Sequence, residues 1–198
     1  ADLYVRSTGN LGAANTVYFT PELAAQAARL PGVKSLQVQR QLPLQLQASL
    51  PPVALLAREL SDPARSLPLV AGPLPVPMGQ IGVYVSEAVV DLFGAQPGQV
   101  FTPLSEAFRP LALLQPGETT VFYVAGVWRD YARQGGAIAM DRQAFIQLTG
   151  DQRANDLAFW LDDPAQAAQV QQALRAVAER AGAGTGELME FGTPGQIR

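Results

Sequence analysis

The chain has 198 residues, 48% of them hydrophobic and 16% charged, with a net charge of −3; that is ample apolar material for a core, and no basic stripe marks a nucleic-acid partner. It contains neither cysteine nor histidine, which excludes disulfides, thiol nucleophiles, histidine-based triads and the usual zinc ligands. No apolar run approaches the ~18 residues that would read as a membrane span.

In chain order, "ADLYVRS" reads as a short strand with Leu3 and Val5 on one face. A Gly/Asn-rich loop follows. "TPELAAQAARLPG" is a helix: Thr20 is placed to cap it, Pro21 sits at the first helical position, and Leu23, Ala27 and Leu30 form its stripe. Leu36, Val38, Leu42, Leu44, Leu46, Ala48 and Leu50 then fall on even positions, interrupted only by Arg40. That period of two predicts one long strand, or two end to end, with one wet face, and Pro43 suggests an edge or a bend. "VALLAREL", Val53 to Leu60, could pair back with it after Pro51-Pro52. Five prolines between residues 61 and 80 read as a long connection with little regular structure.

"QIGVYVS" is a strand, Ser86 caps "EAVVDLF", and Gly94 ends that helix. "GQVFTPL", "TTVFYVAGVWRD" and "GAIAM" read as strands. Asp141 caps "RQAFIQL", which Gly150 ends. "NDLAFWL" is a strand, Asp163-Pro164 opens a helix running to Ala181, and "ELMEF" is a closing strand. Strand–helix–strand thus occurs at both ends, around a proline-rich middle of different grammar. This predicts an α+β fold of two lobes, one α/β lobe made of residues 1–50 and 151–198, and an inserted, β-rich lobe of 51–150. Each end carries a helix with one apolar stripe and needs a sheet face to cover. The strands at Leu3–Ser7 and Glu187–Phe191 should therefore share a lobe, with their outer ends on one side.

Candidate chemistry is sparse. Asp130 and Asp141 each end a strand and are the best pair for acid–base work, but Asp141 suits a helix cap and Asp130 is flanked by Arg129 and Arg133. Ser86 lacks the glycines of a nucleophile elbow. No phosphate loop is present, and Lys34 is the one lysine; neither nucleotide binding nor hydrolysis is expected, and no metal or cofactor. Among the aromatics, Tyr18 and Phe19 lie in a loop, and Trp128 and Tyr131 flank Arg129 and Asp130 at a strand end. These six residues are the candidates for a partner or membrane contact, or for a joint between lobes. The chain opens on Ala1 rather than Met, without a signal peptide, as a piece of something longer would. The absence of cysteine permits a periplasmic or outer-surface setting.

"IGVYVSEAVVDLFGAQPGQVFTPL" and the later "VFYVAGVWRDY" carry a resemblance, through Val83, Ser86, Glu87, Leu92, Gly94, Gly98, Val100, Val124, Gly126 and Val127. Together with "ADLYVRS", "LAAQAARLPGVKSLQVQR" and "RDYARQGGAIAMDRQAFIQLTGD", this resembles the extracytoplasmic domain of MacB/FtsX-like ABC transporter permeases, in order along most of the chain. One departure is Val89 and Val90, where that family often shows a small residue. The resemblance implies a porter-like lobe and an inserted sabre-like lobe. It implies a non-catalytic domain on the periplasmic face of the bacterial cytoplasmic membrane, between transmembrane helices of its own permease. Its partners would be a separate cytoplasmic ATPase subunit or domain and, outside, a lipoprotein, lipid or another periplasmic protein; "VWRDYARQGG" would be the joint where the inserted lobe returns. The competing readings are a free periplasmic solute- or protein-binding module and an enzyme working with carboxylates alone.

Overall fold

A computed structural model of the chain describes residues 1–181 and 189–194. The elements in chain order are β1 (Leu3–Arg6), α1 (Pro21–Ala28), β2 (Val33–Leu44), β3 (Val53–Arg58), α2 (Pro63–Ser66), β4 (Leu69–Ala71), β5 (Ile81–Ser86), α3 (Glu87–Phe93) and α4 (Thr102–Phe108). They continue with β6 (Phe122–Trp128), β7 (Ala137–Asp141), α5 (Arg142–Thr149), β8 (Asp156–Leu161), α6 (Ala167–Arg180) and β9 (Glu190–Gly192). The chain divides into two compact units, Ala1–Gln41 with Gln152–Arg198, and Leu42–Asp151. Among the described residues no helix is long and apolar enough to cross a membrane.

In the first unit the strands run β2-β8-β1-β9, each antiparallel to its neighbour. Alternation in the sequence becomes rows across this sheet. Leu36 lies opposite Phe159, which lies opposite Leu3. Val38, Leu157, Val5 and Phe191 make the next row. Leu23, Ala24 and Ala27 of α1 and Val170, Leu174, Val177 and Ala178 of α6 belong to the same core as those rows, so one sheet face takes both apolar stripes. The caps follow the sequence: Thr20 Oγ1 accepts from Leu23 N at 3.2 Å, and Asp163 from Ala165 N at 3.0 Å, where a short 3-10 turn at Pro164–Gln166 precedes α6.

The second unit orders its strands β4-β6-β5-β7-β3. Pairs β3/β7 and β5/β6 are parallel, and β5/β7 and β4/β6 antiparallel. β3, β6 and β7 are buried almost end to end, the pattern of strands covered on both faces. Phe108, Phe122 and Phe145 meet at the centre of this core, with ring centroids 5.3 Å and 6.1 Å apart. Val89 is wholly buried, and a Cβ on Gly136 would come 2.7 Å from its Cγ2. The small residue that lets α3 pack closely thus stands opposite the helix rather than in it.

Four sequence expectations differ from the structure. The period-two run does not stay a strand to Leu50: β2 ends at Leu44, and Gln45–Leu50 turns back on itself, with Gln45 Nε2 donating to Gln47 O at 2.7 Å and Leu50 N to Gln47 O at 3.1 Å. The division falls at Gln41/Leu42 rather than after Leu50, because Leu42 and Leu44 pack into the second core. "GQVFTPL" is not a strand. Val100 makes one isolated bridge to Tyr123, and Pro103, in the first turn of α4, commits the rest to a helix. The proline-rich stretch 61–80 contains α2 and β4 and is tied to β6, with Leu74 N bonded to Ala125 O at 2.8 Å and Arg129 N to Pro68 O at 3.1 Å.

Candidate functional site

Among the described residues, the first unit buries four polar ones, Ser7, Arg40, Gln41 and Asn155, and they form one network. Arg40 occupies an even position in β2, so the strand's alternation carries it inward with its apolar neighbours; it is 1% exposed. A guanidinium there must have its donors met. Nη1 donates to Ala14 O at 3.1 Å, Gln41 O at 2.6 Å and Asn155 Oδ1 at 2.8 Å, and Nη2 donates to Asn15 Oδ1 at 2.7 Å. Asn155, 0% exposed, stands just before β8. Its Oδ1 also accepts from Gln41 N at 3.0 Å, and its Nδ2 donates to Ala14 O at 2.9 Å, Val17 O at 3.1 Å and Ser7 Oγ at 3.3 Å. Backbone bonds complete the knot: Ser7 N to Asn155 O and Asn155 N to Gln39 O, both 2.8 Å. Sequence reasoning registered Arg40 only as an interruption. Ser7, Asn15 and Asn155 gave no signal, because the network is closed by contacts more than a hundred residues apart in sequence.

The six sequence-selected residues do not form one site. Phe19 is wholly buried in the first core, which removes it from any surface. Tyr18 is half-buried beneath Arg153, whose guanidinium carbon lies 5.0 Å from the ring centroid. Trp128, 6% exposed, ends β6 and donates from Nε1 to Tyr84 O at 3.0 Å. Arg129 Nε donates to Glu87 Oε1 at 2.9 Å; its hydrogen bonds to Glu87, then to Tyr131, hold its guanidinium above the ordinary value. Asp130 accepts from Ala132 N at 2.9 Å and Arg133 Nη1 at 3.0 Å, a self-closed turn. Tyr131 is 86% exposed. This corner connects β6 to β7 inside the second unit, and the chain returns to the first unit at Asp151–Gln152: β7 and α5 must still be laid onto the second sheet.

The carboxylate candidates have structural duties. Asp141 accepts from Gln143 N, Ala144 N and Leu60 N at 3.1 to 3.4 Å, so one cap also ties the end of the β3 segment. Ser86 stands at the start of α3 without capping it; its Oγ accepts from Ala137 N at 3.0 Å and anchors β7 instead. Among the described residues, no group of three or more acidic side chains is gathered as a metal site.

β1 and β9 pair antiparallel, Tyr4 opposite Gly192 and Val5 opposite Phe191. The start of the chain and the last described residues therefore lie at one end of one sheet. Glu187, Leu188 and Arg198, also part of that expectation, lie outside the described residues. An antiparallel unit made from both chain ends, with a mixed-sheet unit inserted, defines a two-part α+β architecture.

Solved structures share it. The periplasmic region of MacB from Actinobacillus actinomycetemcomitans matches with a TM-score of 0.56 and 13% identity, over 96% of this chain and 87% of that one. The extracellular domain of the noncanonic ABC-type transporter YknZ from Gram-positive bacteria matches with the same TM-score and identity, over 96% of this chain and 98% of that one. The chain has the fold of these extracytoplasmic regions. No family model and no curated protein matches it.

Proposed function

We propose that the chain is the non-catalytic extracytoplasmic domain of an ABC transporter permease. It is held between transmembrane helices of its own permease on the outer face of the bacterial cytoplasmic membrane. There it couples ATP hydrolysis by a separate cytoplasmic subunit or domain to export, or to handling of a lipoprotein, lipid or periplasmic partner. The observation that carries this reading is the pairing of β1 with β9. A domain inserted between two membrane helices must return its chain to where it left, and that pairing provides the return. The fold shared with the MacB and YknZ regions supports it.

The test uses the absence of cysteine from these 198 residues, with any cysteine elsewhere in the gene product replaced by serine. Tyr131, 86% exposed, is replaced by cysteine in the protein expressed from its natural gene, and intact cells lacking an outer-membrane barrier are treated with a membrane-impermeant maleimide. Labelling in intact cells, with the labelled protein retained in the membrane after carbonate washing, is expected. Labelled protein recovered in the soluble fraction would identify a free binding module instead. Labelling only after lysis would overturn both.

A further inference from the structure

The buried network of the first unit joins three things. The first is Ser7, the residue that follows β1. The second is the loop 8–17, held through Ala14, Asn15 and Val17. The third is the pair of points where the chain crosses to the second unit: Gln41, where it leaves, and Asn155, three residues after it returns. Burying an arginine to make these bonds is costly, and apolar packing of the same volume generally stabilises as well or better. A network of this kind earns its place through what it specifies, here the mutual position of loop and crossover strands.

We infer that Arg40 and Asn155 form a clamp that makes the β1 exit, the 8–17 loop and the two crossover points move as one body. Arg40 is a positioning residue that acts through Asn155. Without the clamp, a displacement imposed on β1 would be absorbed by the loop; with it, the displacement reaches both chain connections at 41–42 and 151–152. The use assigned to that transmission rests on the transporter reading above, whereas the clamp itself is a property of this chain alone.

Amide hydrogen exchange on the full 198-residue chain tests it without any transporter. Three amides report on the clamp: Ser7, Gln41 and Asn155, bonded to Asn155 O, Asn155 Oδ1 and Gln39 O. In Arg40→Met, all three should exchange faster by a common factor of about tenfold to a hundredfold, the size of a lost hydrogen bond to a charged group. The Val5–Leu157 ladder and the amide of Val124 in the second unit should keep their protection. Arg40→Lys should restore part of the effect. Should Arg40→Met fail to fold, Asn15→Ala, which removes one bond at the rim, should give the same pattern at smaller amplitude. Acceleration at Gln41 alone, unequal factors at the three amides, or a loss of protection shared with Val5 and Leu157 would overturn the clamp. The exchange pattern stands if the surface-labelling experiment fails, and its loss overturns the clamp even where that labelling succeeds.

Discussion

A disulfide between positions 4 and 192 would lock the point where the chain enters and leaves its first sheet. Tyr4 and Gly192 are direct partners in the antiparallel register of β1 and β9. Such partners have Cα atoms about 4.5–5.5 Å apart, inside the ~4.4–6.8 Å window of disulfides. With no cysteine elsewhere, the double variant Tyr4→Cys/Gly192→Cys can form only this bond. It closes nearly the whole chain into a loop, and the chain-entropy relation gives about 5 kcal/mol for loops of this size, of which about 2–4 is usually realised. For a protein of this length each kcal/mol raises Tm by roughly 2–4 °C, so oxidation should raise it by roughly 5–15 °C. Comparing oxidised with reduced samples of one variant cancels the cost of removing the Tyr4 ring. Scanning calorimetry reads the shift, and non-reducing electrophoresis reads closure. Failure of the bond to form under mild oxidation, or a lower Tm in the oxidised sample, would refute the β1–β9 pairing and the tether argument built on it.

Phe108→Ala, at a wholly buried ring in contact with Phe122 and Phe145, should lower stability by about 3–5 kcal/mol in urea unfolding; a change under about 1 kcal/mol would show that the aromatic centre is not what holds the second unit. Gly136→Ala meets both a φ of +101° and Val89 Cγ2 at 2.7 Å, whereas Gly79→Ala meets a φ of +80° with nothing within 4 Å. The second should cost about 1–2 kcal/mol for the left-handed backbone and the first clearly more; equal costs would remove the packing argument. Burial pushes the Tyr84 phenol above its ordinary value of 10.0. The fold favours the neutral phenol, so this contribution is complete below pH 10 and is lost as pH rises through the raised folded value. Tyr84→Phe should flatten the alkaline loss of stability, and an unchanged alkaline slope would count against it.

Local chemistry was legible in the sequence where one segment determines the outcome. Thr20-Pro21, Asp141, Gly94 and Gly150 begin and end helices as their side chains or positive φ values require. Leu36 and Val38 foretell a one-sided strand because alternation is a property of the strand itself. Most of what failed depended on remote partners. Val100 and Phe101 look like strand until Pro103 and the core around Phe108 draw the chain into a helix. Leu42 and Leu44 continue the same alternation as Leu36 and Val38 yet pack into a different core, so no local pattern could mark the division inside β2. The clamp was the least legible feature. Arg40 is recognisable as an interruption, but its meaning lies in Asn155, 115 residues away.

The two units also hold their chains in unlike ways. In the first, the face away from the helices carries Tyr4, Ala158 and Trp160 beside polar residues and is tied in part by side chains. Gln39 Nε2 donates to Asp156 Oδ2 at 3.0 Å, and Arg6 lies 3.9 Å from the same carboxylate. β1 is bonded on both edges, with four partners on β8 and three on β9, whereas β9 has those three partners alone among the described strands. A pull on the N-terminal side must therefore break two ladders at once, and it is backed at Ser7 by the clamp. Among the described strands, a pull at β9 loads one short ladder. If the chain ends are where a membrane-borne motion arrives, the N-terminal side meets two ladders and the clamp, and the crossover points fixed by Arg40 and Asn155 are where that motion leaves the first unit.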